Sequence, residues 1–334
     1  LLTPVNLQAK SDQELFKETK TNAEQGDAKA QHNLASMYSQ GKGVTQDYKQ
    51  AVKWARKSAQ QGTARSQLLI AVLYSQGKGV TQDYKKGVKW LRKSAQQGNA
   101  EAQYYLATMY YKGQGVTIDY KAAVKWARKS AQQGNARARL ILASMYYLGL
   151  GVTQDYNEAV KWFLKSAEQG NAEAQHSLAA MYSQGKGVTQ DYKKAIKWFL
   201  KSAEQGNAEA QHSTAAMYDQ GKAVTQDYKE AVKWYRRSAK QGHVSAQYNL
   251  ATMYEQGQGV TQDYKEAVKW YRKAAEQGVP AAQNNLAHMY SHGEGVIQDY
   301  KEAVKWYRKA AEQRHAMAQF NLATMYEQGK GVTQ

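Results

Sequence analysis

The sequence predicts an all-α fold, a right-handed α/α solenoid of about nine helix-turn-helix repeats of 36 residues each. Three observations lead to this prediction. All eight tryptophans recur at intervals of 36 residues, from Trp54 to Trp306. Each interval contains two segments with the apolar spacing of a helix, and every segment but one ends at glycine. A residue type confined to one position of a repeat serves the packing of that repeat, so we expect one elongated stack without a single central active site.

The chain divides by its match to the repeat. Residues 1–10 match no repeat position and are expected to form an irregular leader. Residues 11–26 are a degenerate copy of the second helix without its tryptophan, and we expect a capping helix there. Residues 27–334 form the predicted solenoid. Its eight full repeats and ninth half-repeat cover residues 27–62, 63–98, 99–134, 135–170, 171–206, 207–242, 243–278, 279–314 and 315–334.

The first helix of each repeat is predicted from one stripe of residues at helical spacing. In repeat one this stripe consists of Gln31, Leu34, Ala35 and Tyr38. These positions are i, i+3, i+4 and i+7, which lie on one face of an α-helix. The helix is expected to end at Gly41, because glycine adopts the backbone angles of a helix C-cap without strain.

The second helix is predicted to begin after a capping aspartate, which is Asp47 in repeat one. In the last repeats a glutamate follows three residues later, as in Asp227 with Glu230, and this spacing predicts a reciprocal capping box. The helix carries an apolar face with Val52 and Trp54 and a basic face opposite. One of its positions becomes aromatic in later repeats, and we expect these residues in the core: Phe163, Phe199, Tyr235, Tyr271 and Tyr307.

Composition narrows the possible functions. The formal net charge of +18 favours anionic partners in general. The absence of cysteine excludes disulfides, thiol catalysis and thiolate zinc sites. The longest aliphatic run, residues 68–74, is too short to span a bilayer. The chain starts at Leu1 without a methionine and stops where another second helix would begin. We interpret both ends as boundaries set by processing or by cloning, and we expect a periplasmic or secreted location in preference to a cytoplasmic one.

The pattern A-x-A-Q-x-x-L-A-x-M-Y-x-x-G-x-G-V-x-x-D-Y-x-x-A-V-x-W recurs across residues 27–334. It resembles the Sel1-like repeat, a relative of the tetratricopeptide repeat. The resemblance implies an α/α solenoid that acts as an adaptor or recognition scaffold, with the first helices lining its concave face. It also implies a bacterial role in host interaction, signalling or envelope assembly. A disulfide-stapled branch of the family, with members described as β-lactam-binding or weakly β-lactam-hydrolysing, depends on paired cysteines that this chain lacks.

The positions that vary while the repeat pattern stays fixed are expected to form the recognition surface. On the first helix they make a second stripe, which is apolar and aromatic in repeats two to four and mostly small and polar elsewhere. The predicted partner-binding residues are Leu68, Leu69, Tyr104, Tyr105, Leu140, Ile141 and Leu148, with Arg65, Glu101 and Arg137 at the rim. We expect them to bind a protein or peptide in the concave groove, with the apolar side chains as desolvated anchors. Tighter packing between repeats, or contact with another copy, would also explain these side chains.

Two other functions remain open. Lysines equivalent to Lys49, Lys53 and Lys57 form a basic row on the second helices. This row keeps a long protein soluble, or it binds an anionic lipid, glycan or nucleic acid. Nucleic acid is disfavoured, since the aromatic residues are not expected to interleave with these lysines as base stacking requires. A hydrolase of cell-wall material or β-lactams is less favoured, because no acid–base pair lies outside the repeating positions.

No catalytic, cofactor or metal site is predicted. The glycine turns end helices and follow no strand, so they are not phosphate-binding loops. His288 and His292 lie one helical turn apart, but no third ligand has a suitable spacing. The sequence therefore predicts a protein that is not an enzyme and needs no cofactor.

Overall fold

The computed structural model describes residues 11–332, and all regular elements in that range are α-helices. Helix α1 (Asp12–Glu24) precedes the first repeat. The first helices of the repeats are α2 (Ala28–Gln40), α4 (Ala64–Gln76), α6 (Ala100–Lys112), α8 (Ala136–Leu148), α10 (Ala172–Gln184), α12 (Ala208–Gln220), α14 (Val244–Gln256), α16 (Pro280–His292) and α18 (Ala316–Glu327). The second helices are α3 (Tyr48–Gln60), α5 (Tyr84–Gln96), α7 (Tyr120–Gln132), α9 (Tyr156–Glu168), α11 (Tyr192–Glu204), α13 (Tyr228–Lys240), α15 (Tyr264–Glu276) and α17 (Tyr300–Glu312). The predicted leader, residues 1–10, lies outside the described residues.

The helices belong to two compact units, Leu1–Gln169 and Gly170–Gln334. Within each unit every helix packs against its neighbours in the chain, most extensively against the other helix of its own repeat. This regular succession of helix pairs is an α/α solenoid, as the sequence predicts. None of the described helices combines the length and the apolar character that crossing a membrane requires.

The second helices are capped by aspartate, as predicted. The glutamates three residues later were also predicted to join the cap, and they do not. Asp227 Oδ1 accepts a hydrogen bond from the Glu230 backbone N–H at 3.0 Å. The predicted capping box is wrong, because the Glu230 carboxylate binds the lysine three residues further along. The donor that it would need, the Asp227 backbone N–H, already donates to the Tyr218 carbonyl at 3.0 Å. The next two repeats do the same, whereas Ser11 and Glu14 form a true capping box at the start of α1.

Buried glutamines join the helices of successive repeats. The Gln67 side-chain amide donates to the Ala59 carbonyl at 3.2 Å, and its Oε1 accepts from Gln97 Nε2 at 2.8 Å. Arg139 replaces this glutamine in repeat four and keeps both links, since its guanidinium binds the corresponding carbonyl and glutamine at 3.1 and 2.8 Å. Because these buried polar groups are paired, they stabilise the stack and are not free for a ligand.

The aromatic residues predicted in the core are buried, and Tyr235 and Tyr271 are 1% and 0% exposed. Residues that depart from the repeat pattern leave an unsatisfied polar atom or an unfavourable backbone angle. Thr214 replaces a core leucine, and its buried Oγ1 has no hydrogen-bond partner in the described part of the chain. Ala223 and Arg314 replace glycines and keep positive φ angles of 60° and 63°. Such a conformation costs an L residue about 1–2 kcal/mol.

Candidate partner-binding surface

The predicted partner-binding residues all lie on α4, α6 and α8, three first helices of the first unit. The charged residues Arg65, Glu101 and Arg137 are exposed, and Leu148 is 53% exposed. The other six side chains are half-buried. We call the seven apolar members the apolar stripe: Leu68, Leu69, Tyr104, Tyr105, Leu140, Ile141 and Leu148.

Tyr105 of α6 lies among charged side chains. Its ring centroid lies 5.1 Å from that of Tyr104, with the two ring planes tilted by 56°. The charges of Glu101 and of Arg137 on α8 act on the Tyr105 hydroxyl. Burial, followed by the negative charge of Glu101, raises the pKa of Tyr105.

Polar contacts extend this surface towards α2. His32 Nδ1 lies 2.9 Å from Ser66 Oγ of α4. The pKa of His32 is lowered by burial and, as the second cause, by the positive charge of Arg65. First helices α6 and α8 also contact each other directly. His32 thus joins α2 to α4, and α6 lies against α8.

Five half-buried members of the apolar stripe also pack against the core, namely Leu68, Leu69, Tyr104, Tyr105 and Ile141. Leu68 and Tyr105 pack against the cluster that contains Leu91. Tyr104 and Ile141 pack against the cluster that contains Ala127. Packing between repeats, the alternative raised by the sequence, therefore accounts for part of each side chain.

One second-helix position shares its packing space with the first helix in repeats three and five. This position is small or aliphatic in the first three repeats, where it is Ala55, Leu91 and Ala127. In repeat five it is Phe199, whose ring centroid lies 5.6 Å from that of His176, the equivalent of Tyr104. Repeat three therefore fills from the first helix a space that repeat five fills from the second helix. The core volume is kept, but the aromatic ring comes closer to the surface.

The basic row of the second helices contacts the tryptophan rings, contrary to the prediction. Lys57 Nζ lies 4.6 Å from the centre of the Trp54 ring. Repeats two to eight have the same contact between tryptophan and lysine or arginine. A spacing of three residues on one helix places the side chains together, so the predicted separation of aromatic and basic residues is wrong. Each ring is covered by its own cation, and Trp54 is only 6% exposed.

The repeats match a known family over almost the whole chain. The family model for the Sel1 repeat matches residues 28–63, 64–99, 100–135, 136–171, 172–207, 208–243, 244–279, 280–315 and 316–334. This chain belongs to the Sel1 repeat family. Proteins of this family are generally scaffolds for protein–protein interaction.

Two solved structures are similar along most of their length. A Sel1 repeat protein from Oxalobacter formigenes is 32% identical, with 97% of this chain and 96% of that chain covered and a TM-score of 0.69. The c5321 protein, described as a protective antigen present in uropathogenic Escherichia coli strains and displaying an SLR fold, is 35% identical. The match covers 95% of this chain and 84% of that chain, with a TM-score of 0.53. No protein with a curated description matches the chain.

In the second unit a buried polar network surrounds Tyr271, which stands at the repeat position of Ala127. This network was not predicted from the sequence. The Tyr271 hydroxyl donates to Glu255 Oε2 at 2.6 Å, accepts from Asn285 Nδ2 at 3.1 Å and lies 3.0 Å from Thr252 Oγ1. Burial, followed by the hydrogen bond to Glu255, raises the pKa of Tyr271. The preceding repeat pairs a tyrosine with an aspartate in the same way. An acidic residue recurring with this tyrosine in successive repeats was the available signal.

Histidines also meet in the second unit. The rings of His212 and His243 stack at a centroid distance of 4.7 Å, and His243 Nε2 lies 3.0 Å from Glu209 Oε2. Burial, with the charge of His243 as the second cause, lowers the pKa of His212 to about 4. Among the residues that the structure describes, no group of three or more His, Cys, Asp or Glu could hold a metal ion.

The chain is expected to lose stability as the pH falls from about 6.5 to about 4. The pKa of folded His212 is about 4, whereas that of an unfolded histidine is about 6.5. Between these values the unfolded chain binds more protons, so this stability is present above the unfolded pKa and is lost on acidification. Thermal unfolding of the wild-type and His212→Gln chains at about pH 7 and about pH 4.5 measures the effect. Between these pH values the melting temperature of the wild-type chain should fall further than that of His212→Gln. Equal falls in the two chains would assign the acid sensitivity to other groups.

An open cavity of about 760 Å³ lies beside the turn between α6 and α7. Its lining includes Arg92, Tyr110, Ile118 and Tyr120, and none of the predicted partner-binding residues is among its lining residues. The cavity therefore belongs to the turns between the two helices of a repeat and is separate from the apolar stripe.

Proposed function

We propose that the first unit binds a protein or peptide along the apolar stripe and that the chain is a non-catalytic interaction scaffold. The observation that supports this proposal is the arrangement at Tyr105, a half-buried aromatic side chain next to the exposed charges of Glu101 and Arg137. Partly covered aromatic area within a charged rim is typical of sites that bind proteins. The general role of Sel1 repeat proteins agrees with it.

The packing role of the apolar stripe is compatible with binding. The half-buried side chains leave part of their area to solvent, whereas Phe199 in repeat five is 5% exposed and Tyr271 in repeat seven is 0% exposed. Placing the large side chain on the first helix, as with Tyr104, thus keeps the core filled and presents apolar area that a partner can cover.

The similarity to c5321 supports a context for this function. That protein is described as a protective antigen of uropathogenic strains. We propose that this chain acts in host interaction, signalling or envelope function of a bacterium. The first unit would supply the contact with the partner in any of these roles.

A useful variant removes the apolar surface and keeps the core filled. Repeat five and the repeat after it offer a natural set of replacements for Tyr104, Ala127 and Ile141. The equivalent residues are His176, Phe199 and Ser213. We define the exchange variant as Tyr104→His, Ala127→Phe and Ile141→Ser.

The exchange variant is expected to lose the partner. The wild-type chain would be used to capture a partner from cell extract at moderate and high salt, and the partner would then be purified and its affinity measured. We expect the exchange variant to bind at least about tenfold more weakly, the effect of one lost anchor, with unchanged helical content. The matched control is Tyr248→Ala, which removes a tyrosine at the same repeat position in the second unit and should keep the partner. Full binding by the exchange variant would contradict the proposal.

The basic row supports a second function. Lysines such as Lys57 recur on the second helices and lie over tryptophan rings, which offers a row of charge to an anionic lipid, glycan or nucleic acid. Binding of that kind would disappear at high salt because exposed charges are screened. It would also be the same for the wild-type chain and the exchange variant.

A further inference from the structure

The first helices of the two units carry opposite charge. In the first unit the charged residues within α2, α4, α6 and α8 are mostly basic, namely Lys29, Arg65, Lys112, Arg137 and Arg139 with Glu101. In the second unit the first helices contain no lysine or arginine, and their charged residues are Glu173, Glu209, Asp219, Glu255 and Glu327. The second helices carry lysine or arginine in both units. The change of sign is therefore specific to the first helices.

The basic side chains on the first helices of the first unit are exposed to solvent, with one exception. Lys29, Arg65, Lys112 and Arg137 are exposed. Arg139 is half-buried, and its guanidinium is already bound to the preceding and following helices. The surface beside the apolar stripe is therefore predominantly positive.

We propose that the occupant of the apolar stripe is an acidic peptide segment with apolar side chains. Its carboxylates bind Arg65 and Arg137, and its apolar side chains contact Tyr104 and Tyr105. This inference rests on the proposed function of the stripe and specifies the chemistry of the partner. Arginine suits this role because its planar guanidinium stays charged and binds a carboxylate through two parallel hydrogen bonds.

The second unit lacks the features that recognise such a peptide. The residues equivalent to Arg65 and Arg137 are acidic there in repeats five and six, where they are Glu173 and Glu209. A carboxylate placed next to them meets a like charge, which disfavours the complex. The first unit has one such carboxylate, Glu101, between its two arginines, whereas the first helices of the second unit have no lysine or arginine, so the acidic peptide is assigned to the first unit.

The test compares two pools of labelled synthetic peptides. Both have leucine, phenylalanine or tyrosine at alternate positions, and the remaining positions are glutamate in one pool and lysine in the other. Fluorescence anisotropy with the full chain, at about 50 mM and about 300 mM salt, reports the affinity. We expect the glutamate pool to bind at least about tenfold tighter than the lysine pool, as charge complementarity predicts.

Charge reversal locates the binding. Arg65→Glu with Arg137→Glu is expected to weaken binding of the glutamate pool by about tenfold or more. The matched control is Lys89→Glu with Lys125→Glu, which changes the net charge equally at two exposed positions of the basic row and so also tests that row as the peptide site. The control should bind the glutamate pool within about twofold of the wild-type chain, since distant exposed charges are screened.

Several results would overturn the inference, and they separate it from the proposed function. Equal losses in both charge variants would mean that the overall charge of the chain binds the peptide. Absence of wild-type binding to the glutamate pool would overturn the inference directly. The two pools could bind the wild-type chain equally well and both lose binding in the exchange variant. That result would overturn the selection for acidic peptides, but it would support the apolar stripe as the binding surface. Glutamate-pool binding that the exchange variant preserves would contradict both proposals.

Discussion

Replacing Gly259 with alanine is expected to lower the free energy of unfolding of the second unit by about 3 kcal/mol. Gly259 has a φ of +70°, and a Cβ on it would lie 2.3 Å from the carbonyl carbon and oxygen of Tyr228, the first residue of α13. These are backbone atoms, so no side-chain rotation relieves the overlap. The left-handed conformation contributes about 1–2 kcal/mol for an L residue, and overpacking contributes about 1–3 kcal/mol.

Ala223 provides the matched control, because it stands at the same position one repeat earlier. It already has a positive φ of 60°. Ala223→Gly is expected to raise stability by about 1 kcal/mol through relief of this strain. Urea unfolding gives the free energies, and hydrogen exchange at the start of α13 localises the damage, since repeat arrays open in parts. If Gly259→Ala unfolds like the wild-type chain, the turn accommodates a Cβ without cost and the prediction is wrong.

The helical repeat could be predicted from the sequence because its causes are local. The spacing of Leu34 and Tyr38 defines a helix face, Asp47 caps the second helix, and Gly41 ends the first with a φ of 71°. The capping boxes were wrong because their donor is taken by a residue of another helix. The carbonyl of Tyr218 binds the Asp227 N–H, and this contact exists only once the two helices of a repeat have packed.

The candidate surface could be predicted only in part. The sequence indicates that Tyr104 and Tyr105 are unusual for their positions, but how far a side chain is exposed depends on its partner in the second helix. Ala127 leaves space that Tyr104 helps to fill, and Phe199 fills the same space in repeat five. Comparing the repeats within the sequence does not reveal this exchange of volume, because repeats four and seven carry a large first-helix side chain and an aromatic second-helix residue together. For the Tyr271 network the sequence offered the recurring acidic residue, and the structure was needed to identify the other partners, Asn285 and Thr252.

The same exchange of volume predicts a large coupling between substitutions. Tyr104→His with Ile141→Ser leaves a cavity next to the core around Ala127, and we expect a loss of about 3–5 kcal/mol in the free energy of unfolding. Ala127→Phe in the wild-type chain is expected to overpack this region at a cost of about 1–3 kcal/mol. The exchange variant combines them, and we expect it to lie within about 2 kcal/mol of the wild-type chain because the phenylalanine fills the cavity.

Urea unfolding of the wild-type chain, the double variant, Ala127→Phe and the exchange variant completes a cycle that isolates this coupling. A coupling of about 3 kcal/mol or more would show that these positions fill one shared space. The exchange variant would then be a folded chain without the central part of the apolar stripe, and its loss of a partner would report binding. Additive losses would contradict the shared space. The size of Tyr104 would then be independent of the second helix, and a weakened partner contact could not be separated from a weakened fold.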